Sequence, residues 1–379
     1  MRPVILFLLC AVILSSQSPL YAGIAPDPTV RVAVIDNAAS FKIDVKGRYD
    51  ISELKSGRIL YEGYRLTDVR VSLSGGVIKI EDDVYAGRAI KVRSERSKDL
   101  YINGRRFRGE VNIVKNAEGK LTVVNELPID EYLYGVMHNE VSHWWPLETI
   151  KAQAIAARTY AMYQKSISKS KDYDLKSDVS SQVYSGAKRE RLKARMAVDR
   201  TKGMVLNYRG AIFPTFFHSA CGGHTEDANE LWNINIAPLK GVLCDFCNDT
   251  KHYRWKRGIK VADLSALMVK AGYKAGRIEA ITGGERNLSG RLKSVDVITS
   301  AATYNIPAKD LRRIAGVDII RSLNFTAKIS GEDIVFEGYG WGHGVGLCQW
   351  GAYVMGRYNY TADEILQFYY PGATIVKLQ

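Results

Sequence analysis

Cysteine is scarce in this chain, five among 379 residues, a density that excludes the disulfide-stapled scaffolds of small secreted domains. Proline is scarce as well, with ten residues, and no low-complexity segment is present, so long disordered linkers are not expected. No internal repeat recurs, which argues against a repeat architecture. Beyond residue 22 no segment is apolar enough to span a bilayer. No Gly-Lys-Ser/Thr follows a glycine-rich loop, so there is no phosphate loop. The tetrad Ser166-Ile167-Ser168-Lys169 has the spacing found in penicillin-binding enzymes, but no Lys-Thr-Gly lies downstream.

What is present is an ordinary globular balance, 46% hydrophobic and 25% charged, in a chain long enough for two or three domains. Lys and Arg number 53 against 40 Asp and Glu, a net charge of +13 that favours anionic partners: nucleic acid, a membrane surface or an acidic polymer. The run Lys188-Arg189-Glu190-Arg191-Leu192-Lys193 reads as a solvated helix face. Residues 1–22 have a positive start, an uncharged aliphatic run over 4–14 and a polar stretch ending in Ala22, the order of a cleavable export signal. Cys10 follows Leu9, not a small residue, and so is a poor lipidation site. Export to the periplasm, cell envelope or exterior is therefore expected, with no nucleic acid as partner. Cys221, Cys244, Cys247 and Cys348 remain after such cleavage.

Short alternating runs such as Val30 to Ile35 and Phe41 to Val45 recur at intervals of about 8–12 residues, the signature of an all-β unit. Ser74-Gly75-Gly76 between two such runs predicts a hairpin. The pattern changes at Pro128. A helix is expected near 130–139, and a second begins at Pro146 with Leu147, Ile150, Ala154, Ala157 and Ala161 on one buried face. Lys151, Arg158 and Lys165 fall on another face. Helices and strands then mix to the end. The expected architecture is α+β: a β-rich unit over residues 23–110, then a mixed catalytic domain over 111–379.

Three constellations could carry chemistry. Between the two helices, His138 and His143 are five residues apart, about 140° around a helix, which excludes the paired histidines of a zinc protease. Glu140 remains, near Val141, Trp144 and Trp145; burial against those rings would raise its pKa and make it a general acid, whereas exposure would leave a surface glutamate. Cys221, Cys244 and Cys247, with His224 or His218 as a fourth donor, form an acceptable tetrahedral zinc set, and a disulfide within the group is the competing reading. The run from Gly338 to Ala352 has glycine at alternate positions, which lets a flat ligand or another backbone approach closely. His343, Trp341 and Trp350 there suit sugar contact or a core.

The order of these segments resembles the stage II sporulation protein D family (SpoIID/LytB domain). Leu127 to Leu133, Glu140, Lys151 to Ala161, Gln182-Val183-Tyr184-Ser185-Gly186, His218 to Glu226, Gly338 to Ala352 and Tyr369-Tyr370-Pro371-Gly372 carry it, across residues 111–378. The resemblance implies a peptidoglycan lytic transglycosylase acting on glycan strands, with Glu140 as acid/base and no cofactor needed for catalysis. It also implies substrate contacts at Gln182, Tyr184, His218, Gly222, Gly223, His343 and Gln349, to which Lys151 and Arg158 are added as cations on the following helix. Some members enhance a partner cell-wall amidase instead. Others hold zinc through His and Cys just before the Gln-x-Tyr motif; residues 174–181 contain neither, so any structural zinc would use Cys221, His224, Cys244 and Cys247.

Overall fold

The computed structural model describes residues 28–96, 99–177, 182–187 and 190–378. The expected export signal lies outside the described residues, as do Lys188 and Arg189 of the basic run.

Alternating Val and Ile build two sheets at the N-terminal end. One has seven strands in the order Leu175–Lys176, Thr29–Ala38, Leu121–Pro128, Glu110–Lys115, Ala89–Ser94, Tyr49–Glu53 and Ile59–Gly63. The other has six: Arg105–Phe107, Leu100–Ile102, Ser40–Val45, Leu66–Ser74, Val77–Ile80 and Asp83–Tyr85. Every second side chain turns inward, so Val30 and Val32 of the first sheet share one core with Ile43 and Val71 of the second. The expected hairpin is present, Val71 pairing with Ile80 and Ser74 with Val77. The boundary expected at residue 110 falls inside the seven-stranded sheet. Glu110–Lys115 pairs with Ala89–Ser94 on one side and with Leu121–Pro128 on the other.

Helix α1 (Ile129–Glu140) leaves the sheet directly after Pro128, with Asp130 and Glu131 in its first turn where the helix dipole favours acids. Helix α2 (Leu147–Ile167) starts after Pro146. The single buried face expected of α2 is too small a description. Ile150, Ala154, Ala157 and Ala161 join the N-terminal core, while Ala152, Ile155 and Ala156 join a second core on the opposite side. Alanine is what allows this, because small side chains let the helix pass between two close-packed cores. The helical and strand segments that follow include α3 (Leu192–Arg200) and α4 (Ala228–Trp232).

Residues 254–339 form a third lobe with its own core. Trp255, Leu264, Val295, Leu311 and Phe336 belong to it, contributed by strands, α5 (Val261–Lys270) and α6 (Ala308–Ala315). The chain then returns to the second core through α7 (Gln349–Arg357) and α8 (Ala362–Tyr369). The fold is thus α+β, as expected. No described helix is long and apolar enough to cross a membrane.

Candidate active site

Helix α1 ends at Glu140, because Val141 is extended at φ −135° and no longer continues the helix. That stop delivers the carboxyl to a cleft of about 670 Å³ whose lining also includes Tyr160, Phe217, His218, Trp232, Trp341 and His343. Opposite α1, strands Phe217–His218 and Leu347–Cys348 run parallel, with His218 beside Cys348. Their close approach requires the alternating glycines. A Cβ on Gly342 (φ +115°) would stand 2.8 Å from the His218 Cβ, and one on Gly340 (φ +77°) 2.6 Å from the Ala220 carbonyl oxygen. The glycine-rich run therefore accepts another backbone.

Burial raises the Glu140 pKa to about 7, and the hydrogen bond from Gln349 Nε2 to Glu140 Oε2, at 3.2 Å, works against that rise. No other Asp or Glu lines the cleft among the described residues. Of the rings expected beside Glu140, Trp144 is exposed and Trp145 packs on Trp350 and Tyr353. His218 is buried, and desolvation with the nearby charges holds its pKa well below the usual histidine value. Its Nδ1–H donates to the Val345 carbonyl at 3.1 Å, which leaves the Nε2 lone pair with no protein partner. His343 is kept neutral as well, its pKa pushed down to about 3 chiefly by desolvation, and its Nδ1 accepts from the Val345 N–H.

Glu140, Gln182, His218, His343 and Gln349 meet at or beside the cleft, but Gln182 spends its amide internally, accepting from Tyr132 and donating to Ala157. The five other expected contacts lie elsewhere. Tyr184 is a core residue on Tyr132 and Phe107, its hydroxyl donating to Asn125. Arg158 is fully buried against Asp130, at 2.6 Å, because α2 is packed on both sides. Lys151 pairs with Glu148 on its own helix, outside the cleft lining. Gly222 and Gly223 serve the backbone: a Cβ on Gly222 would stand 2.8 Å from Gly340 N, and the Gly223 carbonyl accepts from Cys244 N–H. No Lys or Arg lines the cleft among the described residues; Arg321 lies 4.1 Å from the centroid of the lining Trp341 ring.

The metal set also changes. Cys221, Cys244 and Cys247 converge, and the fourth donor is Cys348, with all four sulfurs within 4.8 Å of one another. His224 is not in this group; its Nδ1–H donates to the Thr225 carbonyl. Sequence reasoning missed Tyr160, Phe216, Phe217 and Trp232. Phe216 and Phe217 directly precede His218 and could have been read with it, whereas Trp232 stands on α4 with no motif around it.

Two other clefts have comparable volume, about 690 Å³ beside Tyr49 and about 750 Å³ beside Trp255. The fold and cleft define an α+β protein with a single general-acid candidate at a helix end, facing an aromatic wall. Residues 117–208 match the family model of the stage II sporulation protein, and residues 226–346, which include the third lobe, match a domain of unknown function. An uncharacterized protein of Brachyspira hyodysenteriae is 32% identical over 349 residues, covering 92% of each chain. The amidase enhancer of Bacillus subtilis is 26% identical over 92% of this chain, which spans 56% of that protein's length. Stage II sporulation protein D of Bacillus subtilis is 27% identical over 66% of this chain and 75% of its own. The chain belongs to the stage II sporulation protein D family.

Proposed function

We propose that this protein is an exported lytic transglycosylase that cleaves peptidoglycan glycan strands, with Glu140 as its acid and base. The observation that supports this most directly is one carboxyl raised to about pKa 7 in a cleft where no second acid lines the wall among the described residues. Hydrolysis by two carboxylates needs a second acid at a defined distance. Transglycosylation needs only one. Protonated Glu140 donates to the glycosidic oxygen as it leaves C1 of N-acetylmuramic acid. The resulting carboxylate takes the proton of the same sugar's C6 hydroxyl, and that oxygen closes on C1. A 1,6-anhydro end forms without water as nucleophile. Tyr160, Phe217, Trp232 and Trp341 offer apolar faces to the sugar rings.

Mass spectrometry of peptide-bearing and peptide-stripped strands, incubated with the protein or its Glu140→Gln variant, tests the reading. Anhydro ends from the unaltered protein alone, most readily on stripped strands, are the expected result. Reducing ends would mean a hydrolase instead. A second reading, a glycan-binding enhancer of a cell-wall amidase, draws on the likeness to the amidase enhancer over 92% of the chain. On that reading, neither strand is cut, and Glu140→Gln leaves stimulation of the amidase unchanged.

A further inference from the structure

We propose that Cys221, Cys244, Cys247 and Cys348 hold one structural zinc ion as a tetrathiolate, and that this site fixes the wall of the cleft opposite Glu140. The proposal stands apart from the proposed catalytic activity.

Geometry is the first support. Four buried sulfurs, each within 4.8 Å of every other, come from three separate stretches of chain. A zinc ion bound at about 2.3 Å by four thiolates sets the sulfurs about 3.8 Å apart, and separations here from 3.3 Å to 4.8 Å bracket that value. Two disulfides would require only that the sulfurs approach in pairs. Here Cys221 Sγ is 3.3 Å from Cys247 Sγ, yet Cys244 and Cys348 stand close to both.

Donors around the sulfurs are the second support. Cys348 Sγ accepts N–H bonds from Cys221 and Gly351, both at 3.3 Å. The Gly222 N–H serves Cys247 in the same way. Such N–H donors stabilise negative sulfur and orient metal-bound thiolates. Cys348 is also the N-cap of α7, where the helix dipole favours an anion. The buried cation is Arg291, whose guanidinium donates to the carbonyls of Cys221 and His224. A zinc tetrathiolate carries two negative charges; Arg291 stands beside it but is shared with the buried Glu226 carboxylate at 3.9 Å, so the N–H donors to sulfur carry more of the offset.

Placement gives the consequence. Cys221 stands three residues after His218, and Cys348 immediately precedes Gln349, the donor to Glu140. The ion would tie the 218–221 segment, the 244–247 turn and the start of α7 into one rigid unit. Loading it releases the thiol protons, one from each cysteine that is neutral beforehand.

The test is metal and thiol analysis of the full chain purified without added metal or reductant. About one zinc per chain, with four thiols released only on denaturation with chelator, is the expected result. Cysteines found as disulfides with no zinc would overturn the proposal, and so would iron in place of zinc. Cys348→Ser should lose the ion while His224→Ala keeps it; the reverse pattern would restore the His224 set and sink this one. Should Cys348→Ser fail to fold, cobalt substituted into the unaltered chain gives the same answer. The charge-transfer intensity of four sulfur ligands supports the site, and that of three overturns it.

Discussion

Glu140 and Gln349 lie 209 residues apart in the chain, and the amide of the second donates to the carboxyl of the first at 3.2 Å. One ends α1 and the other begins α7, so the contact joins the two walls of the cleft. It favours the charged form of Glu140 and opposes the effect of burial. Gln349→Leu should therefore raise the carboxyl pKa further above about 7. A hydrogen bond to a charged group contributes about 1.5–3 kcal/mol, which places the shift at roughly one to two pH units. The rate of strand cleavage, which needs protonated Glu140, should fall along an alkaline limb that lies higher in the variant. A limb that does not move would show that Gln349 does not tune the acid.

Stability carries the same signature with the opposite benefit. The Glu140 pKa is raised on folding from 4.5 to about 7, so the folded chain retains a proton that the unfolded chain releases. Its contribution is fully present below about pH 4.5 and is lost as pH rises through about 7. The whole effect has an upper limit of about 3 kcal/mol. Glu140→Gln removes the penalty: little change in urea midpoint is expected at pH 4.5, and a more stable protein at pH 8. Equal midpoints of the two proteins at pH 8 would refute this account of the burial.

Legibility of the sequence followed the range of the forces involved. Strand alternation, the hairpin at Gly75-Gly76 and the start of α2 after Pro146 are local patterns, and they hold in the fold. The glutamate at the end of α1 was visible because a helix stop beside aromatic residues is also local. What it faces was not, since its neighbours arrive from Phe216, Trp232 and Gln349. Arg158 illustrates the same limit. Its spacing with Lys151 and Lys165 suggests a basic face, but a helix packed between two cores has no free face at that point. The cysteine cluster shows it once more, because Cys348 stands 101 residues beyond Cys247 and only pairing of Leu347–Cys348 with Phe217–His218 brings it near Cys221.

Arg158 and Asp130 form a buried pair, and breaking it from one side should be costly. The guanidinium donates twice to Asp130 Oδ1 and also to the carbonyls of Met204 and Val198. Arg158→Met leaves an uncompensated carboxylate and takes a donor from each of two carbonyls, a loss of about 3–5 kcal/mol. Arg158→Lys should recover only part, because a single ammonium cannot reproduce the fork. Denaturant unfolding measures the loss. Glycan affinity of the folded variant should be unchanged; a selective loss of binding at unaltered stability would return Arg158 to the substrate.

Trp232 offers the opposite case, a side chain whose removal should cost binding more than stability. Its ring is 41% exposed, lies 4.4 Å from that of Phe216 and stands 5.1 Å from the His343 ring at the cleft wall. A pyranose presents an apolar C–H face, and an exposed indole gives it contact area at little entropic cost. Trp232→Ala removes that surface while leaving Phe216 and His343 in place. Loss of one such aromatic contact corresponds to about 1 kcal/mol, or roughly fivefold in dissociation constant. The unfolding midpoint should move little, since the side chain is only partly covered in the folded protein. Calorimetric titration with peptide-free glycan strands, beside thermal unfolding of the same samples, separates the two effects. Unchanged affinity would remove Trp232 from the wall that holds the sugar.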